Sequence, residues 1–427
     1  MSISNWIKGN RSRISGMLTG FTTVFLKSGV NLAIVKILAV LAGPGALAIF
    51  SQLLNLNAIM TSISTGSATT GVVTLLAENR NNIEYRRTIL STVYKINFLL
   101  SILLVLFTLF FSDQISITFL GSDSYSSIII LVSICSSFWG LLLIFTSILN
   151  GLNKNNHYLR VNILSTILFG LSVLVAFYTK NVYYFVASYF ISQVVGAMFV
   201  LHYFTRHSYW SLRFYFDKIF SKVVFTGLIQ FVLMSFAAVI FVNLSLIIIR
   251  TYLISHSGAV VAGLWDSMTK VSLSYFGILS SGLSIYYLPK IAASKSGFEI
   301  KQEIFSLVKL FLPLILILFT GIYFLREYII LLLFTHEFLS IKSFFLPVLI
   351  GDIFKWLAWL YSYILLARKE TKLFLLNEAF FTFLNIVSSL IAIYFFSFEA
   401  LFKIYPFIYF FYFVVTYILV NKKLLNF

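Results

Sequence analysis

Two acid–amine pairs stand at helical spacing inside apolar sequence. Asp266 and Lys270 lie in "GLWDSMTKVSLSYFGILSSGLSIYYLPK", residues 263–290, and Asp352 and Lys355 open "GDIFKWLAWLYSYILLARK". Residues three or four apart share a helical face, and an acid on the N-terminal side of its base is the better order. Each charge at mid-bilayer costs about 2.5–3.5 kcal/mol on insertion scales, so such groups face a protein interior or a wet cavity. Two kinds of chemistry are open to them. Either each pair neutralises itself and holds helices together, or the cations meet a charged ligand while carboxyls change charge state.

Lys27, Lys36 and Arg250 also sit within apolar runs, and no acid stands at helical spacing from them. If both pairs cancel, these three remain, so the interior is expected to be net positive. A cation and an anion about 4 Å apart gain about 4 kcal/mol at an effective dielectric of 20. An anionic ligand is therefore expected, and a phosphate or pyrophosphate satisfies this where a cation does not. Lys27 and Lys36 fall on opposite faces of a straight helix, so both can face one cavity only if the chain bends, as at Gly29. Asn31, Asn243, Trp265 and Tyr275 are able to stack on and hydrogen-bond sugars, or simply to pack. Asp266, Asp352 and Glu378 are the candidates for coupling to a proton or sodium ion, although Glu378 is near enough to a span end to snorkel.

The elements that must carry these residues follow from composition. Of 427 residues 60% are hydrophobic and 11% charged, whereas a soluble globule is about a quarter charged. The chain reads as an all-α polytopic membrane protein. Its net charge of +17 fits basic cytoplasmic loops better than nucleic-acid binding. The single cysteine, Cys135, excludes a disulfide framework or a thiolate metal site. The five histidines scatter, and no metal, cofactor, nucleotide or nucleophile motif is present, which argues against an enzyme.

A membrane crossing takes about 20 apolar residues. Twelve runs meet this, near residues 14–42, 46–76, 88–112, 125–149, 158–178, 182–204, 223–254, 258–288, 303–325, 343–366, 372–397 and 400–421. An even number puts both termini on one side. Basic loop residues such as Arg86, Arg87, Arg206, Arg213, Lys218, Lys295, Arg368 and Lys422 crowd that side, while the other has Lys180, Arg326, Lys342 and Lys403. The positive-inside rule then makes both termini cytoplasmic. The polar connection "HYFTRHSYWSLRFYFDKIFSK" divides the chain into residues 1–210 and 211–427, six spans each. Its Tyr209, Trp210, Phe214 and Phe216 among basic residues fit an amphipathic stretch on the membrane surface. "VKILAVLAGPGALAIFSQ" and "IIRTYLISHSGAVVAGLWDS" share a basic residue, a glycine turn and a following aromatic. Two six-helix lobes related by a parallel pseudo-twofold repeat are the expected architecture.

These stretches carry a resemblance. The chain resembles the Wzx-type flippases of bacterial O-antigen and enterobacterial common antigen synthesis, members of the multidrug/oligosaccharidyl-lipid/polysaccharide exporter superfamily. The likeness runs over nearly the whole chain, through "LKSGVNLAIVKILAVLAGPGALAIF", "IIIRTYL", "AGLWDSMTK", "YYLPKI" and "GDIFKWLAWLYSYILLARKETKLFLLNE". Asp266 departs from the polar but non-acidic residue that the common antigen branch carries after Trp265. The resemblance implies a flippase of the bacterial inner membrane, moving an undecaprenyl-pyrophosphate-linked oligosaccharide from the cytoplasmic to the periplasmic leaflet by alternating access. It implies that Lys27, Lys36, Arg250, Lys270, Lys355 and Trp265 bind substrate, and that membrane lipids, a coupling proton or sodium ion and polysaccharide polymerase machinery are partners. A multidrug exporter of the same superfamily is the alternative reading, and would favour an acidic cavity. A membrane-embedded glycan polymerase or glycosyltransferase is a more distant one, because the extracytoplasmic connections are short.

Overall fold

A computed structural model describes residues 11–79, 81–152, 154–179, 181–206, 221–283 and 296–422, with positions 287, 290, 291 and 294. Among the described residues there is no strand. The helices are α1 (Arg11–Ser64), α2 (Thr69–Glu78), α3 (Ile83–Leu120), α4 (Ser126–Gly151), α5 (Asn155–Thr179), α6 (Val182–Arg206) and α7 (Lys222–Ser257), then α8 (Ala259–Gly282), α9 (Gly297–Phe324), α10 (Arg326–Leu333), α11 (Phe345–Ala367), α12 (Thr371–Phe395) and α13 (Phe398–Val420). Among the described residues each predicted apolar run falls mainly on helix. Among the described residues nine helical stretches are long and apolar enough to cross a membrane. Helices keep every backbone polar group bonded internally, which lipid demands. The predicted amphipathic connection over residues 207–220 and Pro289 lie outside the described residues.

Local chemistry sets the helix ends and bends. Asn82 caps α3 by accepting from Tyr85 N at 3.0 Å, and Ser296 caps α9 by accepting from Glu299 N at 3.2 Å. The first predicted span and most of the second form one element, α1, bent at Gly43, whose φ is 69° and ψ −168°, and the rest of the second is α2. Pro44 explains the bend, since proline disfavours the helical region for the residue before it, and glycine enters positive φ without a Cβ clash. α1 is helical through Gly29. A second break follows Ser64, where Gly66 and Ser67 take φ of 56° and 49°. There Thr65 donates to Thr61 O at 3.0 Å and Asn97 donates to Ser64 O at 2.9 Å, so the freed carbonyls stay bonded.

The chain forms two compact units, one of Met1–Asn31 with Leu53–Val239, the other of Leu32–Gln52 with Ile240–Phe427. This differs from a linear cut at residue 210, because α1 and α7 each contribute residues to both units. The core of the first unit gathers Val72, Leu76, Val93, Tyr94, Phe145, Ile148 and Val224. On α3 the side chains of Phe98, Leu103, Phe107 and Phe110 remain exposed, an apolar face suited to lipid.

In the second unit two glycines bring backbones together beside charged residues. A Cβ on Gly351 would lie 2.2 Å from the Tyr405 ring and 3.2 Å from Pro406 Cα. α13 therefore packs against α11 one residue from Asp352. A Cβ on Gly263 would lie 1.8 Å from Pro44 O, so the Pro44 turn of α1 rests on α8 one helical turn before Asp266. Small residues at helix contacts are the usual means of close approach in membranes.

Candidate functional site: a charged core inside the second unit

Arg250 on α7 and Asp266 on α8 form the centre, 1% and 2% exposed. Arg250 Nη2 bonds Asp266 Oδ1 at 2.5 Å, and Nη1 donates to Gln52 Oε1 at 2.6 Å. The Ser51 hydroxyl donates to Asp266 Oδ2, and Lys270 Nζ stands 3.5 Å from the same oxygen. Gln52 Nε2 donates to Thr251 Oγ1 at 2.8 Å. One carboxylate is thus held between two cations and a hydroxyl. The Arg250 guanidinium also lies 5.6 Å from the Trp265 ring centroid, a distance at which the ring quadrupole attracts it. Arg250 Nε is buried and has no acceptor.

A second cluster joins α8, α11 and α13. Asp352 is fully buried and accepts from Ser272 at 2.8 Å, from Tyr405 at 2.8 Å and from the Tyr275 hydroxyl. Lys355 Nζ is 4.0 Å from Asp352 Oδ1 and lies over three aromatic rings, 4.3 Å from the Phe276 centroid, 5.5 Å from Tyr409 and 5.7 Å from Trp359. The carboxylate is satisfied by hydroxyls, and the ammonium by the carboxylate and π faces.

Glu378 on α12 differs. Its Oε1 accepts from Tyr412 at 2.8 Å and Ser362 at 3.4 Å, and among the described residues no basic side chain pairs with it. It is 8% exposed, so it does not snorkel but is held inside the unit.

Arg250 is not a leftover cation: Asp266, assigned by sequence spacing to Lys270 alone, is shared between them. Arg250, Lys270 and Lys355 face Asp266, Asp352 and Glu378, and with all three carboxyls ionised the set is neutral. This corrects the expectation of an uncompensated positive interior built on Arg250. Lys36 is set apart, its ammonium donating to Leu331 O at 2.8 Å and to Phe334 O at the C-terminal end of α10, where cations complement the helix dipole. Lys27 belongs to the first unit and donates to Asn162 Oδ1 at 2.6 Å. The two lysines thus belong to different units, and α1 is helical through Gly29 between them.

A cavity of about 150 Å³ adjoins these clusters. Lys355 and Glu378 line it together with Trp265, Trp359, Tyr405, Tyr409, Tyr412, Ser245 and Asn385. Each helix contributes at helical period: Lys355 and Trp359 from α11, Glu378, Phe381 and Asn385 from α12, Tyr405, Tyr409 and Tyr412 from α13. Ser51, Gln52, Ser272, Tyr405 and Tyr412 escape a charge-based reading of the sequence. The tyrosine stripe in "YPFIYFFY" carries a signal in its i, i+4, i+7 spacing, but among so many aromatics it does not stand out.

No family model matches the chain. The lipid III flippase of Escherichia coli (strain K12) is 23% identical over 370 residues, covering 83% of this chain and 85% of that protein. The Shigella flexneri lipid III flippase matches to the same extent. Among solved structures, the inward-facing conformation of a multidrug resistance MATE family transporter of the MOP superfamily aligns with a TM-score of 0.74 at 11% identity, covering 95% of this chain and 98% of that one. A MOP superfamily transporter from Pyrococcus furiosus, described as having a binding pocket of reverse polarity, aligns with a TM-score of 0.72 at 13% identity, covering 97% and 95%. The all-α class, in two compact units, is therefore the observed one among the described residues, with the fold of these transporters. In sequence the chain stands beside the lipid III flippases and in fold beside the MOP superfamily transporters: it is a multi-pass membrane protein whose relatives are flippases and transporters rather than enzymes.

Proposed function

We propose that the chain is a flippase of the bacterial inner membrane that moves an undecaprenyl-pyrophosphate-linked oligosaccharide from the cytoplasmic to the periplasmic leaflet by alternating access. The observation that carries this is the likeness to lipid III flippases over 83% of the chain. O-antigen, common antigen and wider lipopolysaccharide synthesis are the settings in which such a cargo is made, and a polysaccharide polymerase is the partner that would consume it. The excess of basic residues in one set of loops supports cytoplasmic termini.

In this reading Lys270 is the first contact for the pyrophosphate. It is the most exposed of the three cations, at 15%, and shares its carboxylate with Arg250. A phosphate oxygen can take the place of Asp266 beside Lys270 without stranding Arg250. Lys27, Lys36, Arg250, Lys355 and Trp265 complete the proposed substrate-binding set, with Arg250 and Lys36 acting mainly through the framework they hold. Asp266, Asp352 and Glu378 are the proposed coupling groups. The core is neutral when all three are ionised, so one proton, or one bound sodium ion, leaves it with a single positive charge that favours the anion. Proton-linked capture and release of the headgroup follows from that balance.

A multidrug exporter is the second reading, favoured by Glu378, a carboxylate without a basic partner that faces a cavity. Purified protein in liposomes separates the two. A fluorescent pyrophosphate-linked glycan lipid becoming accessible across the bilayer, at a rate changed by a pH or sodium gradient, is the expected outcome. Efflux of cationic dyes without movement of the glycan lipid would replace the first reading by the second. Lys270→Glu is expected to abolish translocation while the protein remains in the membrane.

A further inference from the structure

We propose that the cavity within the second unit is a binding subsite for one pyranose ring of the glycan. The proposal rests on the flippase reading and assigns to this cavity the sugar rather than the pyrophosphate.

Size comes first. The cavity measures about 150 Å³, and an apolar cavity of that volume in another protein holds one benzene molecule. The cavity is partly open, so a single six-membered ring can seat in it with its exocyclic groups at the opening.

The chemistry of the lining narrows the ring. Trp265, Trp359, Tyr405 and Tyr409 present aromatic surface, which suits the C–H faces of a pyranose. Hydrogen-bonding groups converge on the same space. Ser245 and Asn385 are joined, the Asn385 amide donating to Ser245 Oγ at 2.7 Å, and each keeps capacity for a further partner. Lys355 offers donors and Glu378 an acceptor.

The charges exclude the other candidates. The charge of Lys355 is matched by Asp352 at 4.0 Å, and Glu378 would repel a phosphate brought in beside it. A cation in turn would meet the ammonium of Lys355. A ligand without net charge, whose hydroxyls both donate and accept, satisfies both walls at once. A site built to bond hydroxyls rejects a ring that lacks them, because its own polar groups would be left unpaired.

The test uses the full chain in nanodiscs and saturation-transfer NMR with methyl glycosides of hexoses and of 2-acetamido-hexoses, beside cyclohexane-methanol and inorganic pyrophosphate. The glycosides are expected to bind, and cyclohexane-methanol not to. Trp359→Leu and Asn385→Leu should each weaken glycoside binding about tenfold or more. Trp359→Phe, which keeps an aromatic face, should stay within about threefold of the parent. Unchanged melting of each variant shows that the fold persists. Saturation by pyrophosphate with no glycoside signal overturns the proposal, as does glycoside binding unchanged in both Leu variants. Translocation separates this inference from the reading beneath it. Parent-like flipping of the glycan lipid by both Leu variants removes the subsite and leaves the flippase, whereas glycoside binding lost in those variants, in a parent protein that moves no glycan lipid, keeps the subsite and removes the flippase.

Discussion

Removing Asp266 tests whether the charged core is a balanced unit. The carboxylate is 2% exposed and takes Arg250, itself 1% exposed, at 2.5 Å, with Ser51 and Lys270 on its other oxygen. Asp266→Ala leaves a guanidinium in a dry interior with only Gln52 as acceptor. Breaking one partner of a buried pair costs about 3–5 kcal/mol, and the upper part of that range is expected because Arg250 Nε already has no acceptor. Arg250→Met alone should cost less, about 2 kcal/mol, since Asp266 keeps Lys270 and the Ser51 hydroxyl. The double variant Asp266→Leu with Arg250→Met removes both charges and fills the volume with apolar atoms. Replacing a buried pair in this way is often close to neutral, but here Lys270 is left without its carboxylate, so the double variant should cost about 4 kcal/mol, less than Asp266→Leu alone at about 5 and less than the two matching singles together by a coupling energy of about 3 kcal/mol. Unfolding in mixed micelles, followed by circular dichroism as dodecyl sulfate is titrated, measures all members of the cycle. Single costs that add to within about 0.5 kcal/mol would show the two residues to be independent, and the account of a shared carboxylate would fail.

Gly263→Ala would place a Cβ 1.8 Å from Pro44 O, which only a backbone shift relieves; a loss of about 3 kcal/mol and impaired translocation are expected, while Gly321→Ala, with nothing within 4 Å of the added atom, should melt as the parent does. Lys36→Met leaves the Leu331 and Phe334 carbonyls without their charged donor and should cost about 2 kcal/mol, measured by the same micellar unfolding. Pyrophosphate binding should strengthen as pH falls, because protonating a carboxyl of the neutral core leaves it positive; Glu378→Gln fixes that state and should raise affinity near neutral pH about tenfold while flattening the pH dependence. A titration equally steep in the variant would remove Glu378 from the coupling set.

Much of this protein is legible in its sequence because lipid leaves few options. A run of apolar residues of membrane length must be a helix, so α3 to α9 and α11 to α13 fall where hydropathy puts them and Pro44 marks the bend at Gly43, whereas the short α10 matches no predicted run. The charged residues that matter are equally visible, since each stands out against apolar sequence. Partner choice is not visible. Spacing assigns Asp266 to Lys270, yet its closest cation is Arg250, on another helix, and two polar residues of α1, Ser51 and Gln52, complete the arrangement. Glu378 reads as a residue near a span end, yet Tyr412 and Ser362 hold it inside.

The sequence by itself determined the helices, their membrane character and which side chains carry charge, because those depend on local periodicity and on the cost of charge in hydrocarbon. Tertiary packing alone decided that Arg250 shares Asp266 with Lys270, that Tyr412 and Ser362 hold Glu378, and that rings from α8, α11 and α13 line one cavity. Those pairings join residues far apart in the chain, and they depend on how closely α1 approaches Gly263 and α13 approaches Gly351, distances that no local pattern encodes.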